Sequence, residues 1–281
     1  MLFSEEVIRS RQNRTVVELM KLNDRGHRES DGLFRFDGVK LAADAIRAGL
    51  EIPLLFLREG NAAEILAEIA QKTARDPGLS VGRIVRLDDD LFAKISEEKS
   101  PEGVICVAKY IDKIEKNDII DDRFFSKIKN ERVVLLESVR DPSNLGAIIR
   151  SAAAMGIDRL IVSSDCADLY NAKTVRASMG TLFTQQISRV EDLAAAIAGL
   201  RQSGRRVFAA TLAPDARALG SFSIRKGDCV VIGNEGHGLS AGVIDACGES
   251  VYIPMSGRAE SFNAAVAAAL LMWEFSKSEQ S

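Results

Sequence analysis

Chemistry in this chain must come from a small set of residue types. There are two histidines, and the four cysteines (Cys106, Cys166, Cys229 and Cys247) are scattered, never in a C-x-x-C pair. That pattern suits neither a zinc nor a redox site; it reads as free buried thiols in a reducing compartment. What the second half offers instead is three blocks in series. They are Asp141-Pro142-Ser143-Asn144-Leu145-Gly146-Ala147-Ile148-Ile149-Arg150, Ile232-Gly233-Asn234-Glu235-Gly236-His237-Gly238-Leu239 and Ile253-Pro254-Met255-Ser256-Gly257-Arg258-Ala259-Glu260-Ser261-Phe262-Asn263. Each joins a strand-like apolar run to a helix-like run through a turn rich in glycine and asparagine. Such turns hold ligands with backbone groups and helix N-termini, which is positioning chemistry rather than nucleophilic attack.

In the first block, Pro142 favours an extended residue before it. Asn144 suits the N-cap of a helix expected over 145–155, and Arg150 lies one to two turns inside. This is either a capped helix with a surface arginine or a site for an RNA ribose or phosphate. The second block follows the apolar run Cys229-Val230-Val231-Ile232. Gly233, Gly236 and Gly238 allow close backbone approach. The loop is not G-x-G-x-x-G and lacks the P-loop Lys-Ser/Thr, so it matches neither fingerprint. It is a ligand-free turn or a backbone-lined adenosine loop, with His237 incidental. In the third block Ser261 suits the N-cap of the terminal helix, expected over 261–276, and Asn263 falls in its first turn. That helix is rich in alanine, which permits close packing.

These blocks need a scaffold, and the pattern supplies an α/β one. Residues 5–22 read as a helix. Strand and helix then alternate: Leu33–Phe36, Val39–Ala48, Pro53–Leu57, Ala62–Ala74, Arg83–Leu87, Asp88–Ile95 (capped by Asp88 or Asp89) and Val104–Ala108. A first domain over 1–110 is followed by a charged linker, 111–130, with a helical turn or two at 123–129. The second domain, 131–281, has strands at Val133–Glu137, Leu160–Ser163, Val207–Thr211, Cys229–Ile232 and Val251–Ile253. Helices are expected between them, at 172–182, 191–203 and 239–246 among others. That alternation predicts a parallel sheet covered on both faces. Thr211 and Leu212 end a strand at the sheet's carboxyl edge, where ligands bind. Lys173 and Arg176 sit one helical turn apart, on a solvated face or on a phosphate-binding one.

Bulk properties narrow the function. Net charge is −3 and pI about 5.7, so the chain is not a bulk-basic RNA binder and any RNA affinity must be local. Local candidates in the first domain are Arg9, Arg11, Arg14, Arg28, Arg35 and Lys40. No signal-peptide core and no apolar run long enough to span a membrane is present, so the cytoplasm is expected.

Taken together and in this order, the three blocks resemble the signature motifs of the SpoU (TrmH-like) family of RNA ribose 2′-O-methyltransferases. Phe34-Arg35-Phe36-Asp37-Gly38-Val39-Lys40-Leu41 and Ser100-Pro101-Glu102-Gly103-Val104 are similar to the ribosomal-protein-L30e-like substrate-binding domain that precedes many such catalytic domains. The resemblance covers about residues 30–110 and 131–277. It implies S-adenosylmethionine as methyl donor, an RNA 2′-hydroxyl as acceptor and no metal. It implies a SPOUT-type α/β fold with a deep trefoil knot and a homodimer with the terminal helix in the interface. The accessory domain leans towards rRNA of the 23S type over tRNA. By resemblance the catalytic residues are Arg150, Asn144, Glu235, Ser261 and Asn263. Arginine stays protonated, so Arg150 is read as orienting the ribose and adjacent phosphate. Cofactor residues are Thr211, Leu212, Gly233, Asn234, Glu235, Gly236, Ile253, Pro254, Met255, Ser261 and Phe262; RNA contacts are Lys173, Arg176, Arg35 and Lys40. Phe262 and Ala265 stand where the family usually has leucine and a second serine. Competing readings are a tRNA methyltransferase, an inactive knotted RNA-binding protein, and a nucleotide-dependent oxidoreductase on an ordinary Rossmann sheet.

Overall fold

The computed structural model describes residues 3–74, 81–117, 121–234, 236–257 and 261–277. It divides into two compact units: residues 1–112 with 170–184, and residues 113–169 with 185–281.

The first unit is built on a five-stranded mixed sheet. Its elements are β1 (Phe3–Ile8), α1 (Arg14–Lys21), α2 (Arg25–Asp31), β2 (Leu33–Asp37), α3 (Val39–Ala48), β3 (Leu54–Arg58), α4 (Ala62–Thr73), β4 (Arg83–Leu87), α5 (Asp89–Ile95) and β5 (Val104–Lys109). Strand order is β1-β4-β3-β5-β2, with β1, β4 and β3 parallel and β5 antiparallel to both its neighbours. One face buries Val16 and Leu19 of α1 and Leu91, Phe92 and Ile95 of α5 against Phe56, Val85 and Ile105.

The single helix expected over 5–22 is corrected to a strand and a helix. Val7 and Ile8 pair with Arg86 and Leu87. A new helix starts at Asn13, whose Oδ1 accepts from Thr15 N at 2.9 Å. Two arginines expected to meet RNA are structural. Arg28 is buried and donates to Leu22 O and Asn23 O at 2.7 and 2.8 Å, closing the end of α1. Arg35 is only 2% exposed and pairs with Asp37 at 3.1 Å while donating to Ile95 O at 3.0 Å.

The second unit carries an eight-stranded, all-parallel sheet. In chain order it has β6 (Ile114–Asn117), α6 (Asp122–Lys127), β7 (Val133–Leu136), α7 (Pro142–Ala154) and β8 (Arg159–Ser163). The chain then makes α8 (Ala172–Ala177), which belongs to the first unit. It continues with β9 (Gln186–Val190), α9 (Leu193–Gln202), β10 (Val207–Ala210), β11 (Arg217–Ala218), β12 (Cys229–Ile232), α10 (Ala241–Cys247), β13 (Gly248–Tyr252) and α11 (Ala264–Ser276). Strand order is β11-β13-β10-β12-β7-β8-β9-β6. Every residue of β7, β8 and β12 is buried, as central strands covered on both faces require. Within 111–130, read as a linker, Ile114–Asn117 is instead an edge strand paired to β9. Strand β9 itself carries three polar residues in five and escaped the apolar pattern. One of them, Ser188, is buried against Arg159, which is 1% exposed and also pairs with Glu131 and Glu115. All four cysteines are free and buried.

The segment 170–184 packs on the first unit although its sequence lies inside the second. Tyr170 stacks on Tyr110 with ring centroids 3.9 Å apart, and its hydroxyl oxygen accepts from Ile111 N at 2.9 Å. Phe34 and Phe36 meet Tyr170 and Phe183 at 4.8 and 5.1 Å between centroids. The helix expected over 172–182 stops at Ala177, because Met179 and Gly180 take φ of 51° and 88°. A side chain at 180 would also strike Asp44, whose Oδ2 lies 2.5 Å from a Cβ placed there.

Candidate active site

The carboxyl ends of β10, β12 and β13 meet the start of α11 around a cavity of about 330 Å³. Thr211, Leu212, Gly233, Asn234, Ile253, Met255, Ser261 and Phe262, all expected at the cofactor, line it. Gly236 and Pro254 are not on its wall, and Glu235 lies outside the described residues. The sequence reading missed the part of the wall made by α11, where Ala264, Ala267 and Leu271 face the cavity. The i, i+3, i+7 spacing of those residues is the signal that could have found them.

The loop after β12 is shaped by its glycines and one asparagine. Asn234 N donates to Gly238 O at 3.1 Å and Gly238 N returns to Asn234 O at 2.9 Å. A Cβ at Gly233 would lie 2.5 Å from the Gly238 carbonyl carbon, so only glycine lets the loop close on itself. The Asn234 side chain is already engaged: Oδ1 accepts from Gly236 N at 2.8 Å within the loop, and Nδ2 donates to Ser138 O at 2.8 Å beyond the end of β7. Asn234 therefore gives the cavity its wall more than its hydrogen bonds.

Two expected caps fall on other residues. Asp141, not Asn144, caps α7: its Oδ1 accepts from Asn144 N at 2.8 Å, with Pro142 opening the helix. Proline is well placed in a first turn, where its missing N–H costs nothing, and this moves the cap three residues upstream. Likewise Asn263, not Ser261, caps α11, its Oδ1 accepting from Ala265 N and Val266 N at 2.9 and 3.3 Å. The displaced asparagine finds a partner all the same. Asn263 Nδ2 donates to Asn144 Oδ1 at 3.0 Å, joining the first block to the third. Arg150 is on the exposed side of α7, opposite the buried Leu145, Ile148, Ile149 and Ala152.

Beside the first block, Asp165 gathers Ser138 Oγ at 2.5 Å, Ser163 Oγ at 2.6 Å and Arg140 at 3.1 Å. Its burial raises the carboxyl pKa, but these three donors outweigh that and hold it at about 2. Lys173 and Arg176, expected to contact RNA, are exposed on α8, in the first unit, together with Lys40. Arg176 pairs with Glu98 at 3.4 Å, and Lys40 with Asp44 and Met179 O at 2.6 and 3.1 Å.

The cavity fits S-adenosylmethionine. Its volume is at the small end of the usual range for ligand pockets. None of its described lining residues is charged, its walls are largely aliphatic, and glycine backbone is exposed to it. Such a site, at the carboxyl edge of a parallel sheet, is where α/β proteins of the nucleotide-binding class take their ligands. The comparisons narrow the class. Residues 131–273 match the SpoU rRNA Methylase family, and residues 13–106 match the MRM3-like substrate binding domain. The 23S rRNA (guanosine(2553)-2′-O)-methyltransferase RlmP of Bacillus subtilis is 28% identical over 95% of this chain and 97% of its own. An AdoMet-bound rRNA methyltransferase from Sinorhizobium meliloti superposes with a TM-score of 0.78 at 25% identity, over 97% of both chains. The SpoU methyltransferase AviRb from Streptomyces viridochromogenes, solved with AdoMet, gives 0.73 at 27% identity, over 94% of this chain and 98% of that one. The chain belongs to the SpoU family: it is an S-adenosylmethionine-dependent RNA ribose 2′-O-methyltransferase. Among the described residues no helix is long and apolar enough to cross a membrane.

Proposed function

We propose that this enzyme methylates a ribose in rRNA of the 23S type, in the cytoplasm, as a homodimer. The observation that carries the substrate is full-length likeness to an enzyme acting on 23S rRNA, with both the catalytic and the substrate-binding part covered. Four buried, unpaired thiols suit a reducing compartment.

Bound S-adenosylmethionine supplies a methyl group already attached to a good leaving group. What remains for the protein is alignment, and orientation of this kind can contribute ~7–11 kcal/mol. Gly233, Asn234, Ile253 and Met255 hold the adenosine end, with Leu212 and Phe262 at the mouth. Asn144 and Asn263, tied at 3.0 Å, set the spacing between cofactor cavity and acceptor helix. Arg150 orients the acceptor ribose and its phosphate and favours departure of the 2′-proton. Glu235 and Ser261 complete the set. Lys40, Lys173 and Arg176 offer phosphate contacts on the first unit.

The dimer reading rests on α11. Phe262, Val266, Leu270 and Trp273 are 39, 47, 38 and 56% exposed, and the last three repeat at i, i+4, i+7 on one helix face. An apolar stripe of that kind marks an interaction surface. The opposite face carries Ala268, Leu271, Met272 and Phe275 into the core. The knotted path of the terminal segment belongs to the same proposal, supported by the packing of α11 on both α7 and the central strand β12.

The deciding experiment is ribose-methylation mapping of total RNA from cells with and without the protein. One 2′-O-methyl mark lost from large-subunit rRNA is expected. Loss of a tRNA mark instead would move the assignment to tRNA, and no lost mark would favour an inactive RNA-binding protein.

A further inference from the structure

The loop that walls the cofactor cavity has a second side. Asn234 and Gly238 also border a separate cavity of about 160 Å³, together with Glu137, Ser138, Arg140 and His237. No described residue lining the first cavity is charged; this one presents an arginine, a histidine and a carboxylate. The carboxylate is already engaged, for Glu137 accepts from Ser240 N at 2.8 Å and Ser240 Oγ at 2.6 Å. Arg140 is not. Its side chain is 69% exposed, and its ion pair, to Asp165 at 3.1 Å, uses one NH2 contact of a five-donor guanidinium.

Asp165 fixes more than that arginine. Ser138, at a left-handed φ of 54°, is held by three bonds: its Oγ donates to Asp165, its N to Ser163 Oγ at 2.9 Å, and its carbonyl accepts from Asn234 Nδ2. The ends of β7, β8 and β12 are thereby joined around one carboxylate. The same network sets Arg140 on one wall of the small cavity and the Asn234–Gly238 loop between the two cavities. A space of this size, polar and with an exposed guanidinium on its wall, suits the phosphate-bearing part of one nucleotide better than a second cofactor.

We propose that the small cavity is a subsite for the acceptor strand. It takes a nucleotide adjoining the ribose to be methylated, with Arg140 on its phosphate, and Asp165 is the positioning residue for Arg140. This rests on the RNA-methylation reading above. Donor and acceptor then lie on the two sides of one short loop.

The test uses the full chain and rRNA from cells lacking the enzyme. Filter-binding titrations across a salt series are run beside methylation of the same RNA and calorimetry with S-adenosylmethionine. Arg140→Ala is expected to weaken RNA binding about tenfold, the loss of one charge-assisted contact. It should reduce the log K against log salt slope by ~0.7, one phosphate on a single strand. Cofactor affinity should stay within about twofold, and Arg140→Lys should restore the salt slope. Asp165→Asn should weaken RNA binding too, and Asp165→Asn with Arg140→Ala should be no weaker than Arg140→Ala alone. Additive losses would reduce Asp165 to a general structural role and overturn its part. Unchanged RNA affinity and slope in Arg140→Ala, or an equal loss of cofactor binding, would overturn the subsite. A wild-type chain that binds this RNA but methylates nothing in it would count against the rRNA reading, while the binding series still decides the subsite.

Discussion

Arg150 is charged, exposed and without a hydrogen bond or ion pair among the described residues. A residue so placed contributes little to folding, so its substitution should report on chemistry. Arg150→Ala is expected to leave S-adenosylmethionine binding nearly intact and to slow single-turnover methyl transfer by at least ~10²-fold, the scale for misplacing a reacting group by about 1 Å. Lysine should rescue little, since it lacks the planar fork; a near-wild-type rate for the alanine variant would remove Arg150 from the mechanism. Asp165 carries the opposite kind of signature. Its folded carboxyl, at about 2, lies below the ordinary 3.8, so its contribution to stability is present above about pH 4 and is lost as pH falls towards 2. Thermal melts of wild type and Asp165→Asn between pH 2 and 6 should converge at the acid end and separate above it. Parallel curves would show that the donors around Asp165 do not hold its charge.

At the scale of elements, the link between α7 and α11 is the feature that a single helix could not supply. Asn263 works twice, as the cap of α11 and as donor to Asn144. Asn263→Ala should cost ~1 kcal/mol for the cap alone, the usual figure for an asparagine N-cap. Urea titrations of Asn263→Ala, Asn144→Ala and the double variant should give a non-additive sum, because one bond is lost in all three. Strict additivity would mean that the two asparagines act independently. The α10 end of the sheet has its own tie, Glu137 to Ser240, which brings the chain after the second block back to β7.

At the scale of the whole molecule, two features bear on how the chain can be cut and assembled. The segment 170–184 lies within the family match at 131–273 yet packs with the first unit. Removing residues 1–112 would strip Phe34, Phe36 and Tyr110 from Tyr170 and Phe183, both of which are now buried. The truncated chain is therefore expected to aggregate or bind a hydrophobic dye, and a soluble, cooperatively melting fragment would contradict this. The stripe on α11 leads to the other expectation. Trp273→Glu should shift the sedimenting species from two chains to one and lower methylation, while the far-ultraviolet circular dichroism stays as it was. A wild-type chain that sediments as a monomer would rule out the dimer.

Much of this molecule is readable one segment at a time. Strands β7 and β12 are short apolar runs between turn residues, and the three blocks sit at their ends and at α11 because glycine, proline and asparagine mark turns locally. The cavity at the sheet's carboxyl edge was legible for the same reason: eight of the residues expected at the cofactor line it. What failed locally was any choice between neighbours. Asp141 and Asn144 can both cap a helix, as can Ser261 and Asn263, and the outcome depends on proline placement and on the Asn144–Asn263 bond across 119 residues. Arg35 reads as a basic residue fit for RNA until Asp37 and Ile95 O enclose it. Strand β9 and the edge strand β6 are polar enough to pass for loop, and only their pairing in the sheet makes them strands. Backbone preference and periodicity are properties of adjacent residues, and the sequence by itself determined those. Which charge is buried, which cap is used and which unit a segment joins are settled by groups far apart in the chain, and only the tertiary structure brings them together.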